Sequence, residues 1–342
     1  MSATDQTTTT DAVLAPSPSV QNPRRSAAEL TSRLLAPLVL GTILLVFSLM
    51  SRNFLQADNL LQVLNQSAIL ALAAAAMTIV VRAGGIDLSI GVSLDLGALA
   101  AAALIADGYV PGVALIGGVL FGLTVGLVNA FLIVVLRIRA FLATLSMWFI
   151  GTSLQQVLTG GGAPIYLPKS TVPDGFAVLG NGTVGGLPVP VFVAIIVVLV
   201  AWMALDRSRW GRVLTAAGEQ PSATRIAGRL TGMSLAGAYV LASALAALAG
   251  VILASRTYGF IPASGQLYVL DAIGAVFIGA TLSKLGRPNL LGTMVGVLIF
   301  ALLANGMNLI GLSFYWQGLA RGSALLLVLL ISVVLARHRV TR

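Results

Sequence analysis

From Leu34 onward the chain alternates long apolar runs with short polar interruptions. Ten apolar segments are read, at about 34–51, 60–81, 88–106, 110–136, 140–159, 189–205, 233–255, 268–283, 290–312 and 318–336. Most approach or exceed the roughly 20 residues that an α-helix needs to cross a bilayer. The third holds Asp87 and Asp95 at or within it, and the eighth is short and opens at Asp271. The pattern predicts an all-α, polytopic transmembrane bundle of about ten helices in residues 34–336. Residues 1–33 are polar, with threonines at Thr7 to Thr10, three prolines and the pair Arg24–Arg25. Such a stretch has too little apolar surface to offset the entropy of ordering, and it reads as a disordered cytoplasmic tail. Residues 337–342 read as a second cytoplasmic tail. The first apolar run starts too late and runs too long for a cleavable signal peptide.

Composition narrows the class. Hydrophobic residues make up 58% and charged residues only 9%, against about 25% charged in soluble domains. A soluble enzyme is excluded, because so few charges cannot cover a particle of this size. There is no cysteine and a single histidine, His338, near the C-terminus. Disulfides, thiol catalysis and thiolate or multi-histidine metal sites are therefore excluded, and no cofactor is expected.

The net charge of +9 takes its meaning from position. With the N-terminus inside and ten spans, the inner segments hold Arg24, Arg25, Arg33, Arg82, Arg137, Arg139, five arginines of 206–232, Lys284, Arg287, Arg337, Arg339 and Arg342. The outer set is only Arg52, Lys169, Arg256 and Arg321. Excess Lys and Arg on the cytoplasmic side is the ordinary bias of membrane proteins. It predicts both termini inside and accounts for the basic charge without nucleic acid.

Two extramembrane segments stand out. Residues 160–188, rich in Gly and Pro, are predicted external, and 206–232, with its arginines, cytoplasmic. The first is a place to receive a soluble partner and the second a place to dock one, although length alone suits plain connectors as well. Within the second, Pro221 suits the first position of a short helix whose apolar face is Ala223, Ile226 and Ala227. Asn181-Gly182-Thr183 matches a glycosylation sequon and reads as a chance match. Glycines at four-residue spacing (Gly118, Gly122 and Gly126; Gly292 and Gly296; Gly318 and Gly322) let helices approach closely in lipid. A weak internal echo, with Asp87 over Asp271 and Asn129 over Asn305, points to two related halves.

Neither lysine follows a G-x-x-x-x-G, so the chain lacks the usual phosphate-cradling loop for ATP. The stretch RAGGIDLSIGVS (82–93) instead breaks a helix with Gly84 and Gly85 and sets Asp87 and Ser89 beside an apolar run. Irregular polar backbone at membrane depth is tolerated where it is buried in protein or lines a cavity. Asp87 thus has two compatible roles, lining a path or capping the next helix. Asn65, Gln66, Asn129, Asn305 and Asn308 sit in otherwise apolar helices. They are translocation-path candidates with Asp87 and Ser89, or they hydrogen-bond between helices.

GGIDLSIG (84–91) closely resembles the signature of the monosaccharide (ribose-type) permeases of bacterial ABC importers. DAIGAVFIGATLSKLGRPNLLGT (271–293), LLANGMNLIG (302–311) and AAGEQPSATRIAGRLTG (216–232) resemble three further motifs of that family, in order, over roughly residues 60–336. Glu219, Gln220, Ser222, Thr224, Arg229, Lys284 and Leu285 depart from the family form. The resemblance implies a binding-protein-dependent inner-membrane component that is not itself an enzyme. Its implied partners are a second permease subunit, identical or paired, cytoplasmic ABC ATPase subunits, an external solute-binding protein, and membrane lipid. It also implies ATPase coupling through Gly218, Glu219, Ala223, Arg225, Ile226 and Gly228. The alternatives are a secondary transporter or channel, for which few buried ionisable groups are present, and an ABC permease for an amino acid or nucleoside.

Overall fold

The structure is a computed structural model, and it describes residues 23–226, 228, 231–283, 286–313, 315–324, 326, 327 and 330. The tail through residue 22, the tail 337–342 with His338, and Ala227, Arg229, Lys284 and Leu285 lie outside the described residues.

The fold is an all-α bundle. In chain order the helices are α1 (Pro23–Met50), α2 (Ala57–Arg82), α3 (Ile90–Ala106), α4 (Pro111–Ala130), α5 (Ala140–Leu158), α6 (Asp174–Asn181), α7 (Val189–Trp202), α8 (Arg209–Glu219), α9 (Pro221–Ile226), α10 (Thr231–Thr257), α11 (Gln266–Thr281) and α12 (Leu290–Leu309). A further helix, α13, covers 315–324. Single π-helical turns extend α4 over Phe131–Val135 and α7 over Met203–Arg207. α1 begins at Pro23, ahead of the start predicted at 34. The first nine predicted apolar segments fall on helices, and the described residues of the tenth, 318–336, are helical as well. Among the described residues six helices are long and apolar enough to cross a membrane, while Ala36–Met50, α3 and α11 are shorter. At about 1.5 Å per residue, the 17 residues of α3 span about 25 Å, a little under a hydrocarbon core of about 30 Å.

The segment 160–188 is not a bare connector. It contains α6 and the strands β1 (Ile165–Tyr166), β2 (Thr183–Val184) and β3 (Leu187–Pro188). β1 pairs antiparallel with β4 (Gly259–Phe260), and β2 pairs with β3.

Two three-helix units recur in the same order with similar lengths: α2–α3–α4 and α10–α11–α12. Their packing is exchanged. α2 lies mainly against α11, α12 and α10, whereas α10 lies against α3 and α4. α2 is apolar all round and continuously buried from Ser67 to Val80, as a helix without a polar face must be when protein surrounds it. The outer helices behave differently. Phe149, Ile150, Ile196 and Val200 stay exposed on α5 and α7, the arrangement expected where lipid replaces water as the solvent.

Small residues bring the backbones together. On α4, Gly118, Gly122 and Gly126 face Val251, Ala247 and Ser243 of α10, leaving no room for a Cβ. Gly292 and Gly296 do the same on α12 against Gly279 and Ala275 of α11. A Cβ on Gly318 or Gly322 of α13 would meet nothing within 4 Å among the described residues.

Candidate functional site

The polar break between α2 and α3 is a buried knot. Gly84 takes a left-handed conformation (φ +85°), which ends α2 and turns the chain. Asp87 Oδ1 then accepts hydrogen bonds from the Ser89 amide at 2.8 Å and the Ser89 hydroxyl at 2.6 Å, at the start of α3. The Asn129 amide of α4 donates to the same hydroxyl at 2.7 Å. The Thr144 hydroxyl of α5 reaches the Ile86 carbonyl at 3.2 Å, and Ser93 of α3 meets Ser243 of α10 at 3.1 Å. Asp87, Ser89 and Asn129 are fully buried. The sequence-predicted residues Asp87, Ser89 and Asn129 are thus brought together at the start of α3, where Asp87 holds the N-cap residue Ser89 and Asn129 ties it to α4.

This knot rests on the segment 206–232. Ser208 caps α8 by accepting from the Gly211 amide at 3.0 Å, the usual role of serine at a helix start. In the last turn of α8, Gly218 lies against the backbone of Arg82, Ala83 and Gly84. Arg82, at the end of α2, gathers the surrounding elements. It donates to Thr215 Oγ1 of α8 at 3.0 Å, to the Pro288 carbonyl at 2.9 Å and to Asp206 Oδ1 at 2.5 Å. Glu219 accepts from Arg287 Nη2 at 2.6 Å. α9 points the other way. Ala223 is exposed and Ile226 is 88% exposed, while Thr224 is buried and its hydroxyl donates to the Gln220 carbonyl at 2.8 Å. Arg225 belongs to α9, and Gly228 follows it with φ +70°. The predicted coupling residues therefore divide: Gly218 and Glu219 hold the segment to the bundle, and Ala223 and Ile226 face away.

The opposite end carries β1–β4 and a cavity of about 510 Å³ among α2, α10, α11, α12 and α13. Gln66, Arg256, Tyr268, Asp271 and Arg321 form its polar wall. Arg321 pairs with Asp271 at 3.2 Å, and Arg256 donates to the Asn65 carbonyl at 3.2 Å. Of the predicted amides, only Gln66 lines this cavity. Asn305 exchanges two amide hydrogen bonds with Asn59, each 2.9 Å, and Asn308 accepts from Gln317 at 2.6 Å. Beside the cavity, Asp95 of α3 caps α11 across the bundle, accepting from the Gly265 amide at 2.7 Å and the Ser264 hydroxyl at 3.1 Å.

Sequence reasoning missed Asn59, Tyr268 and the gathering role of Arg82, and it counted Arg256 only as an outer charge. Their partners are distant along the chain, and the residue types alone carry no signal of them. Among the described residues no cluster of His, Cys, Asp or Glu is placed to hold a metal.

The family described as "Branched-chain amino acid transport system / permease component" matches residues 59–334. The chain is 35% identical over 294 residues to the ribose import permease protein RbsC of Escherichia coli (strain K12), covering 86% of this chain and 91% of that protein. It is 31% identical over 298 residues to the galactofuranose transporter permease protein YtfT of the same strain, covering 84% and 86%. It is 28% identical over 316 residues to the fructose import permease protein FrcC of Rhizobium meliloti, covering 87% and 85%. No solved structure matches the chain. A match across most of the length, through both repeated units and the segment between them, makes the chain a member of this family of transport-system permease components.

Proposed function

We propose that the chain is the membrane-spanning permease subunit of an ATP-driven ABC importer and forms the path for a monosaccharide delivered by an external solute-binding protein. The observation that carries this reading is the near full-length similarity to permeases named for ribose, galactofuranose and fructose import. The family description mentions branched-chain amino acids, whereas the relatives similar over most of this chain are named for sugar import, which favours a sugar. The chain is a transport subunit rather than an enzyme, and it resides in the bacterial inner membrane.

In this reading residues 34–336 are the permease domain, the end with Arg82, α8 and α9 is cytoplasmic, and the end with β1–β4 and the cavity is external. The basic residues of 206–232 support that orientation. α9 docks on a cytoplasmic ATPase through Ala223 and Ile226, and Gly218 and Glu219 carry its motion to the break before α3. A second permease subunit completes the path. Asn129, Asn305 and Asn308 act here as ties between helices that shape it, Asn65 joins them only through the backbone carbonyl that Arg256 meets, and Gln66 acts as a contact.

The test is twofold. Tagged full-length chain should co-purify with ATPase subunits, and deleting it should abolish ATP-dependent uptake of ribose, galactose or fructose. A chain that supports uptake from an ion gradient without any ATPase belongs to the secondary-transporter alternative instead.

A further inference from the structure

The cavity near the β1–β4 end differs chemically from the rest of the bundle interior. At about 510 Å³ it falls in the range of about 300–1,000 Å³ typical of small-molecule sites. Its wall mixes planar donors and acceptors with apolar patches. Gln66 comes from α2, Arg256 from α10, Tyr268 and Asp271 from α11, Phe300 from α12 and Arg321 from α13.

Two groups in this wall are under-used. The Nε of Arg321 is buried with no hydrogen-bond partner, although its Nη1 meets Asp271. Arg256 donates to a backbone carbonyl and has no carboxylate partner among the described residues. A guanidinium offers five N–H groups in a fixed fork, so donors remain for a guest. Buried donors left unpaired cost free energy, which a hydroxyl oxygen placed against them recovers. Asp271 supplies the complementary acceptor for a hydroxyl proton, and its charge offsets that of Arg321, with which it is paired. Phe300 and Tyr268 add apolar ring surface for the C–H face of a sugar.

We infer that this cavity is a binding station for a neutral monosaccharide within the permease itself, with Gln66, Arg256, Asp271 and Arg321 holding its hydroxyls. The inference rests on the reading of the chain as a monosaccharide permease. The station is shared among five helices, including both long helices of the exchanged units.

The chain has no cysteine, so the native protein is its own background for cysteine labelling. Thr257 and Ala304 line the cavity. In right-side-out vesicles holding the complete transporter, Thr257→Cys and Ala304→Cys should react with a membrane-impermeant methanethiosulfonate. D-ribose, D-fructose or D-galactose at about ten times its Kd should slow that reaction about tenfold, by the factor 1 + [L]/Kd, and betaine at equal osmolarity should not. Adding Arg256→Gln, or separately Gln66→Ala, should remove the protection while the unprotected labelling rate is kept, which reports an intact cavity. Failure to label at all, equal labelling with and without each sugar, or protection by D-gluconate alone overturns the station. Uptake of the same radiolabelled sugars by the same vesicles separates the two failures. Chain-dependent uptake without protection removes the station and leaves the permease reading standing, whereas absence of any chain-dependent uptake removes both.

Discussion

Gly84 and Gly218 meet backbone to backbone where the break after α2 touches the last turn of α8. A Cβ built on Gly84 would stand 3.0 Å from the Gly218 carbonyl oxygen, and one on Gly218 would overlap the Arg82 carbonyl oxygen. Gly218 is thus required for close approach, being helical, while Gly84 also needs its positive φ. Gly218→Val should push α8 away from the break at a cost of about 1–3 kcal/mol, the usual penalty for overpacking. The protein should still insert and accumulate, with a lowered melting temperature in detergent and reduced transport. Unchanged melting and full transport would show that α8 need not touch the break.

Arg82 ties Asp206, Thr215 and Pro288 to the end of α2 with three separate N–H groups. Lysine has one point of charge and cannot reproduce that fork. Arg82→Lys should therefore lose most of what Arg82→Ala loses, about 2 kcal/mol of stability from stranded partners that keep some solvent contact. Thermal unfolding of both variants checks this, and a lysine variant as stable as wild type contradicts the three-way role.

How far the sequence disclosed these features depended on the range of the signal. The break at GGIDLSIG and the helix opening at Pro221 were legible because glycine, proline and a lone carboxylate act on their immediate neighbours. The positions of the apolar helices were legible because lipid imposes run length directly. α8 carries no comparable signal, since it is short and polar and its buried residues are only Gly211 and Leu214. The cavity was hidden for a different reason. Arg256 and Arg321 lie on separate helices, and their convergence on one space follows from the exchanged packing of α2 and α10, which no local pattern encodes. The amides were legible as costly groups needing partners, but the identity of each partner was not.

Asp87 satisfies both the amide and the hydroxyl of Ser89 inside the bundle. Asp87→Ala leaves both without their acceptor and should destabilise the protein by about 1–3 kcal/mol. Asp87→Asn keeps an acceptor oxygen at the same place and should retain most of the stability. Melting temperatures measured side by side give the comparison, and equal losses for the two variants would place the role of Asp87 elsewhere than its bonds to Ser89.

Ile226 is 88% exposed at the end of α9, beside the exposed Ala223. A large apolar side chain so placed on a polar surface acts as an anchor when a partner covers it. Ile226→Asp and Ala223→Glu should leave insertion and melting unchanged, because neither side chain packs on the bundle. ATPase retention in purified complexes should fall at least about tenfold. Normal transport with full ATPase retention in both variants would reduce α9 to a connector.

Asn59 and Asn305 exchange two amide hydrogen bonds across α2 and α12, so each is the other's main partner. Asn59 also donates to the Phe54 carbonyl at 2.8 Å, which ties the pair to the turn before α2. Removing one amide leaves the other partly buried without its partner, a cost of about 1–2 kcal/mol. Removing both replaces a satisfied polar pair with apolar contact, which in lipid or protein is close to neutral. Asn59→Leu and Asn305→Leu should therefore each lower the melting temperature, and the double variant should recover much of the loss. Double-mutant cycles in the same detergent measure the coupling, expected at about 1 kcal/mol. Transport separates a tie from a path contact: a double variant that regains stability should regain transport with it. Recovered stability without recovered transport would mean that these amides touch the solute.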